Sequence, residues 1–381
     1  MKRSTETMQG DSLHICLIAS ELLGFGVAGG FGFATRSLGR NLVNRGHRVT
    51  VVMPQPVGTT ASESDIDGMT VRTFARSDIL RCDALFQSVK ADIFHSQEPS
   101  LSSYIAQRAV PRGIHVVTCR DPRNFRDWCV EFRYPSHTRL GLLRTAAFYE
   151  NPFTRRAVRH AERVFVPANS LVEKVKNKYR LANSPQFMPT PIAMPVEPVQ
   201  KSAQATICYV GRLDRRKRPD KFLSLAADFP HVEFLVAGTA QDPRYGEELV
   251  ARFGHLPNIR MLGFIDQFSS NALSSVFSKS WIMVNSAARE GLPNVFIEAA
   301  AHGCAIVSPH DPDGFASQFG RHCPDQDYHA AIKALLSNNR WRELGQAGAA
   351  YVASTNRSDL ATDQHLAAYT ALLCARRAQR V

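Results

Sequence analysis

Residues 14–54 read HICLIASELLGFGVAGGFGFATRSLGRNLVNRGHRVTVVMP, and the fold follows from how this stretch is divided. HICLIAS is a short apolar run without polar alternation, the pattern of a strand buried on both faces. A glycine loop comes next, then ATRSLGRNLVNRG with apolar residues at helical spacing, then HRVTVVMP as a second buried strand. Strand, glycine loop, helix and strand form the first unit of a parallel, doubly wound sheet.

The same alternation continues through MTVRTFA, ADIFHS, IHVVTCR and RVFVPAN. It stops at SPQFMPTPIAMPVEP, which holds five prolines between positions 185 and 198. Proline lacks the amide that a helix interior or a central strand needs, so this segment reads as a domain junction. Beyond it the alternation restarts with TICYVGR, HVEFLVAG, NIRMLGF, WIMVNS and CAIVSP, and the chain from Tyr328 to Val381 reads as mainly helical. The expected organisation is α/β: a Rossmann-like domain over 1–190, a proline-rich linker over 191–204, a second such domain over 205–360, and a C-terminal helix over 361–381 that crosses back.

A chain of 381 residues with 44% apolar, 9% aromatic and 21% charged residues has the composition of a soluble globular protein and the length for two cores. Its 46 Lys and Arg against 34 Asp and Glu give a formal charge of +12, which favours an anionic partner. The eight cysteines show no zinc-site spacing and read as core thiols in a reducing compartment. The apolar part of the N-terminus, HICLIA, is too short for a signal peptide, and no stretch approaches the length of a membrane span. The expectation is a cytoplasmic protein, with peripheral contact at the inner face of an anionic membrane left open.

Three motifs carry chemistry. In the loop GFGVAGGFGFATRSL, Gly26, Gly29, Gly30 and Gly32 let a ligand approach the backbone at the carboxyl end of the first strand. It is not a dinucleotide fingerprint: the glycine register is wrong, and no acidic residue ends the next strand to hold a ribose. In VGRLDRRKRPDKF, Arg212 and Lys217 suit a diphosphate, Arg215, Arg216 and Arg218 add positive potential, and Pro219 can open a helix. In AREGLPNVFIEAAAHG, Pro293 can start a helix that Gly303 ends. The amides of Gly291, Leu292, Pro293's neighbour Asn294 and Val295 then form an anion site, flanked by Glu290 and Glu298. Two carboxylates there would repel a phosphate unless they face sugar hydroxyls, so the spacing favours ligand binding over an acid and base pair.

In this order the motifs resemble the retaining glycosyltransferases of family 4, which have the GT-B fold of two Rossmann-like domains facing across a cleft. The resemblance covers most of the chain. It implies that Arg212 and Lys217 bind the diphosphate of a nucleotide sugar, UDP- or GDP-hexose. Glu290 would contact the donor sugar, Glu298 the ribose hydroxyls, and Gly30 the diphosphate from the other domain. It implies transfer with retention and without a metal or other cofactor, the leaving diphosphate helping to deprotonate the acceptor. This chain departs from the family's cleft motif at DIFHSQEPS, where His95 matches the first histidine and Gln97 stands at the second, and its linker lacks the usual Asn-Gly turn.

Other patterns point elsewhere. Asp65 and Asp67 spell the D-x-D metal motif of a different glycosyltransferase fold, but here it precedes a strand as a glycine turn. DPDG at 311–314 would need a bidentate glutamate where His322 stands. Between Arg133 and Arg180 eleven Lys and Arg face three acids, and TRLGLLRTAAF sets apolar beside basic residues as an interfacial helix or a self-packed one would. A lipid-linked or polyanionic acceptor is therefore open. The competing classes are a glycoside hydrolase working through Glu290 and Glu298, which leaves Arg212 and Lys217 unexplained, and a nucleic-acid binder, for which the chain has charge but no binding motif. The nucleotide's base is expected against the loop after NIRMLGF, at Phe264 and Ile265.

Overall fold

A computed structural model describes residues 12–26, 29–56, 58–59, 62–136 and 138–379. The basic residues at the extreme N-terminus, and the last two positions of the expected C-terminal helix, lie outside them.

Two sheets account for every strand expected from the apolar runs. The first contains β1 (His14–Ile18), β2 (Arg48–Pro54), β3 (Glu63–Ile66), β4 (Met69–Phe74), β5 (Ile93–Ser96), β6 (Ile114–Thr118), β7 (Arg163–Val166) and β8 (Gln186–Phe187). Their order is β3-β4-β2-β1-β5-β6-β7-β8, parallel except for the β3–β4 hairpin. The second contains β9 (Thr206–Val210), β10 (Glu233–Ala237), β11 (Ile259–Gly263), β12 (Ile282–Val284), β13 (Ala305–Ser308) and β14 (Gly320–His322), in the order β11-β10-β9-β12-β13-β14 and parallel throughout. Both sheets reverse their strand order beside the first strand, so ligand-binding crevices open at the carboxyl ends of β1 and β9.

The central strands are buried on both faces because helices cover both. The short edge strands β3, β8 and β14 gave no apolar run to read. The ESDI strand is polar, and its turn at Asp67 and Gly68 has positive φ at both positions, as a tight hairpin turn requires. Asp65 is thus a strand residue, accepting the Gly68 amide, while Asp67 binds Arg36.

The last helix, Ser358–Ala378, returns to the first domain, where Tyr369 is buried among Ile15, Leu17, Leu38 and Phe165. The chain therefore crosses between domains twice, and the crossings are tied together. Ile192 donates its amide to Asn356 O at 2.8 Å, Asn356 Nδ2 donates to Thr190 O, and Ser37 Oγ donates to Pro191 O. Proline removes amides that would otherwise need partners here, and Asn356 of the second crossing serves one amide and one carbonyl of this stretch.

Candidate active site

The carboxyl ends of both sheets face one cavity of about 1430 Å³. That exceeds the roughly 300–1,000 Å³ of ordinary small-ligand sites. Arg212, Lys217, Glu290, Gly291, Leu292, Pro293, Asn294, Val295 and Glu298 line it from the second domain, and Gly30 from the first. Phe264 and Ile265 line it as well.

The loop after β9 is held in place by its own side chains. Asp214 accepts the Lys217 amide at 2.9 Å and pairs with Arg212 at 3.3 Å, and Tyr209 donates its hydroxyl to Arg212 O. Ser286, just past β12, donates to the carbonyls of Lys217 and Arg218. At the strand ends β9 and β10 touch: a Cβ on Gly238 would stand 1.9 Å from Gly211 O, so only glycine lets the two crevice loops pack this closely.

These constraints aim Lys217 Nζ at Glu290 Oε1, which Asn285 Nδ2 also approaches at 3.3 Å. Burial pushes the Glu290 carboxyl up, but Lys217 and Arg216 pull it below its ordinary value, so it is a carboxylate. Glu298 differs. It sits in the helix Asn294–Ala301, where burial raises its carboxyl to about 7 against an opposing bond from Gln267. Asn294 and Val295, in the first turn of the same helix where amides have no acceptor within the helix, line the cavity. The two glutamates are thus a fixed anion beside an ammonium and a near-neutral acid, set one on each side of a helix N-terminus.

The first domain closes on this site through Asn294 Nδ2, which donates to Gly30 O at 2.7 Å. The glycine loop holds a residue that the sequence did not single out. Glu21 Oε1 accepts the amides of Gly29 and Gly32, each at 3.0 Å, and Glu21 lines the cavity. Gly32 is accordingly engaged within its own loop and does not line the cavity.

His95 and Gln97 are not cavity residues either. His95 is fully buried; Nδ1 contacts Tyr369 Oη at 2.6 Å and Nε2 contacts Thr118 Oγ1 at 2.7 Å. Burial, His365 and Arg120 hold it well below its ordinary pKa. Gln97 Oε1 accepts from Arg120 Nη2 at 2.9 Å, and Arg120 Nη1 donates to Thr190 at the entry to the linker. Both residues tie the first sheet to the returning helix and the linker.

The extra arginines of the basic loop are also spoken for. Arg215 pairs with Glu248 and lies over Tyr245, Arg218 donates to Gln326, and Arg216 is buried against Glu131 of the first domain. Opposite the donor loops the first domain contributes Arg76, Ile79, Arg123, Trp128, Leu142, Arg144, Phe148 and Tyr149. Among the described residues no helix is long and apolar enough to cross a membrane.

With this geometry in view, two family models match the chain in tandem. Residues 28–191 match Glycosyltransferase Family 4 and residues 194–346 match Glycosyl transferases group 1, the junction between them falling in the proline-rich linker. The chain belongs to the group 1 glycosyltransferases and has the GT-B fold. It is a transferase, which replaces the hydrolase alternative. Sucrose-phosphate synthase from Thermosynechococcus elongatus is similar in structure, with a TM-score of 0.72 at 18% identity over 95% of this chain and 100% of that one. HepE of Anabaena in complex with UDP-glucose gives 0.68 at 12% identity, covering 94% and 100%. The catalytic domain of starch synthase IV from Arabidopsis thaliana, bound to ADP and acarbose, gives 0.65 at 13% identity, covering 95% and 100%. No curated protein matches the sequence.

Proposed function

We propose that the chain is a retaining hexosyltransferase that moves a sugar from UDP- or GDP-hexose to a glycan or lipid-linked acceptor. The observation that carries this reading is the convergence of Arg212, the Lys217–Glu290 pair and Glu298 on one cavity capped by Gly30. Arg212 and Lys217 would meet the diphosphate, and in a water-poor site their charge stabilises the departing anion as the glycosidic bond breaks. Glu290 would accept from a sugar hydroxyl and Glu298 from the ribose. The leaving diphosphate would take the acceptor's proton, so no protein base and no metal or other cofactor is required. HepE holds UDP-glucose in its structure, which supports a hexose donor.

The acceptor wall supports a large acceptor, because the cavity is bigger than a nucleotide sugar needs. Its outer rim includes the helix Arg139–Tyr149, where Leu140 and Leu143 are 59% and 55% exposed beside Arg139 and Arg144. This supports contact with an anionic membrane at the cytoplasmic face.

Binding heat and thermal shift against UDP, GDP, ADP and their hexose conjugates, in the presence of a chelator, test the reading. Stabilisation by one diphosphate, lost in Arg212→Ala, is the expected result; indifference to all of them refutes it. Retention is checked by the anomeric configuration of the first-formed product in proton NMR.

A further inference from the structure

The donor clamp is flanked in sequence by two arginines that reach into the other domain. Arg216 precedes Lys217 and Arg289 precedes Glu290. Arg216 Nη1 lies 3.0 Å from Glu131 Oε1. Arg289 makes a two-pronged pair with Asp121, its Nη1 standing 2.9 Å from Oδ2, and also meets Asp127 at 3.0 Å and Glu131 at 3.2 Å. From the first domain, Arg123 approaches Asp121 and Glu131 at 3.4 Å each, and Lys174 holds the far side of Asp127 at 2.7 Å.

Asp127 and Glu131 are four apart on the helix Phe125–Arg133 and so share one face, with Asp121 in the loop before it. Three carboxylates of one domain thus meet two guanidinium groups of the other at a largely buried boundary. Burying ion pairs is poor value as a source of stability, because the desolvation penalty offsets the attraction. What such a cluster supplies is a geometry that exists only when both halves are together.

Resting on the donor-site reading above, we infer that Asp121 and Glu131 are positioning residues that hold Lys217 and Glu290 in register only while the cleft is shut. When the domains part, Arg216 and Arg289 lose their partners. The carboxylates then left in the electrostatic surroundings of Arg216 are Asp214 and Glu290, two members of the donor loops. Glu290 is drawn toward Arg216 and away from the sugar it should contact. An open enzyme therefore binds the diphosphate through Arg212 and Lys217 but does not assemble the hand on the sugar, which limits loss of the donor sugar to water before the cleft closes.

The test uses the full chain with Glu131→Gln, Asp121→Asn and Arg289→Lys, and Glu248→Gln as a control on the exposed partner of Arg215. Acceptor-independent hydrolysis is followed with whichever of UDP-, GDP- or ADP-glucose the unmodified protein turns over, transferring glucose to water and releasing the nucleoside diphosphate. Affinity for that diphosphate is measured alongside, with thermal melting to exclude unfolding and X-ray scattering to read cleft opening. Glu131→Gln and Asp121→Asn are expected to lower kcat by about 10- to 100-fold, the scale of a misplaced catalytic group. Diphosphate affinity should change little and the diphosphate-bound protein should stay expanded. Arg289→Lys, which keeps the charge but loses the fork, falls in between, and Glu248→Gln behaves as the unmodified protein. Variants that melt earlier yet keep kcat and compactness would overturn the inference and leave the cluster a mere structural contact. An unmodified protein that binds no nucleoside diphosphate and hydrolyses none of the three donors would instead remove the donor-site reading, and the inference with it.

Discussion

The two walls of the cleft are built on opposite plans. The charged groups of the donor wall come from two stretches, Arg212 to Lys217 after β9 and Glu290 to Glu298 after β12, and the first of these loops is held by its own Asp214 and by Ser286 from the second. The acceptor wall gathers residues from separate segments between Ser20 and Pro167, and two of its carboxylates, Asp121 and Glu131, are paired with arginines of both domains. The difference has a functional sense. A diphosphate with a sugar and a ribose asks for the same fixed groups whatever the acceptor, whereas a scattered wall can be altered one residue at a time without disturbing the donor.

The strongest challenge to this contrast is Glu290→Gln set against Phe148→Ala. Glu290→Gln preserves size and removes the charge that Lys217 balances, so transfer should fall by about 100- to 1,000-fold, as when a preorganised electrostatic group is lost. Melting should shift by only a few degrees, because Lys217 keeps solvent access. Phe148→Ala should leave diphosphate binding intact and act on the acceptor's KM. A loss of diphosphate binding in Phe148→Ala, measured calorimetrically, would show that the walls are not separable.

How much could be read beforehand follows the same line. The central strands announced themselves because both faces are buried and the runs are continuous; β3, β8 and β14 are short edges with little apolar content and did not. Arg212, Lys217, Glu290 and Glu298 were legible because strand ends and one helix start place them locally. Glu21 was not, since nothing in local spacing announces a carboxylate bonding amides eight and eleven residues ahead. His95 was placed correctly at a strand end, but the direction of its ring depends on Tyr369, which arrives 274 residues later on the returning helix. Arg216 looked like free positive potential because its partner, Glu131, belongs to the other domain.

A smaller effect distinguishes the two glutamates of the donor wall. Burial raises Glu298 to about 7, whereas Lys217 keeps Glu290 ionised well below that. On the proposed role of Glu298, ribose hydroxyls would donate to its carboxylate form, so donor binding would lower its pKa and release a proton. Affinity for the nucleoside diphosphate should therefore weaken as pH falls below about 7, by up to about tenfold per unit for a single linked proton. In the free protein the sign is reversed: a carboxyl raised on folding lowers stability as pH rises from its unfolded value, near 4.5, through 7. Glu298→Gln should flatten both dependences, and calorimetry in buffers of different ionisation enthalpy reads the proton directly. A pH profile unchanged in Glu298→Gln would move the titration to another group.

The smallest effect belongs to the rim of the acceptor wall. Leu142 is buried in the helix Arg139–Tyr149, whereas Leu140 and Leu143 point outward and contribute nothing to the core. If that rim touches a membrane, Leu140→Ser with Leu143→Ser removes apolar area that would enter the headgroup region, while Arg139 and Arg144 keep the attraction to anionic lipid. Losing part of two leucines is worth about 1–2 kcal/mol, or roughly a five- to thirtyfold fall in binding to vesicles containing anionic lipid, read by co-sedimentation. Hydrolysis of the soluble donor should be unchanged, because the donor wall does not include these side chains. Equal sedimentation of both forms would confine the acceptor wall to soluble glycans. A fall in donor hydrolysis would mean that the rim helix acts on the clamp across the cleft, and the separation of the two walls would fail at its outer edge.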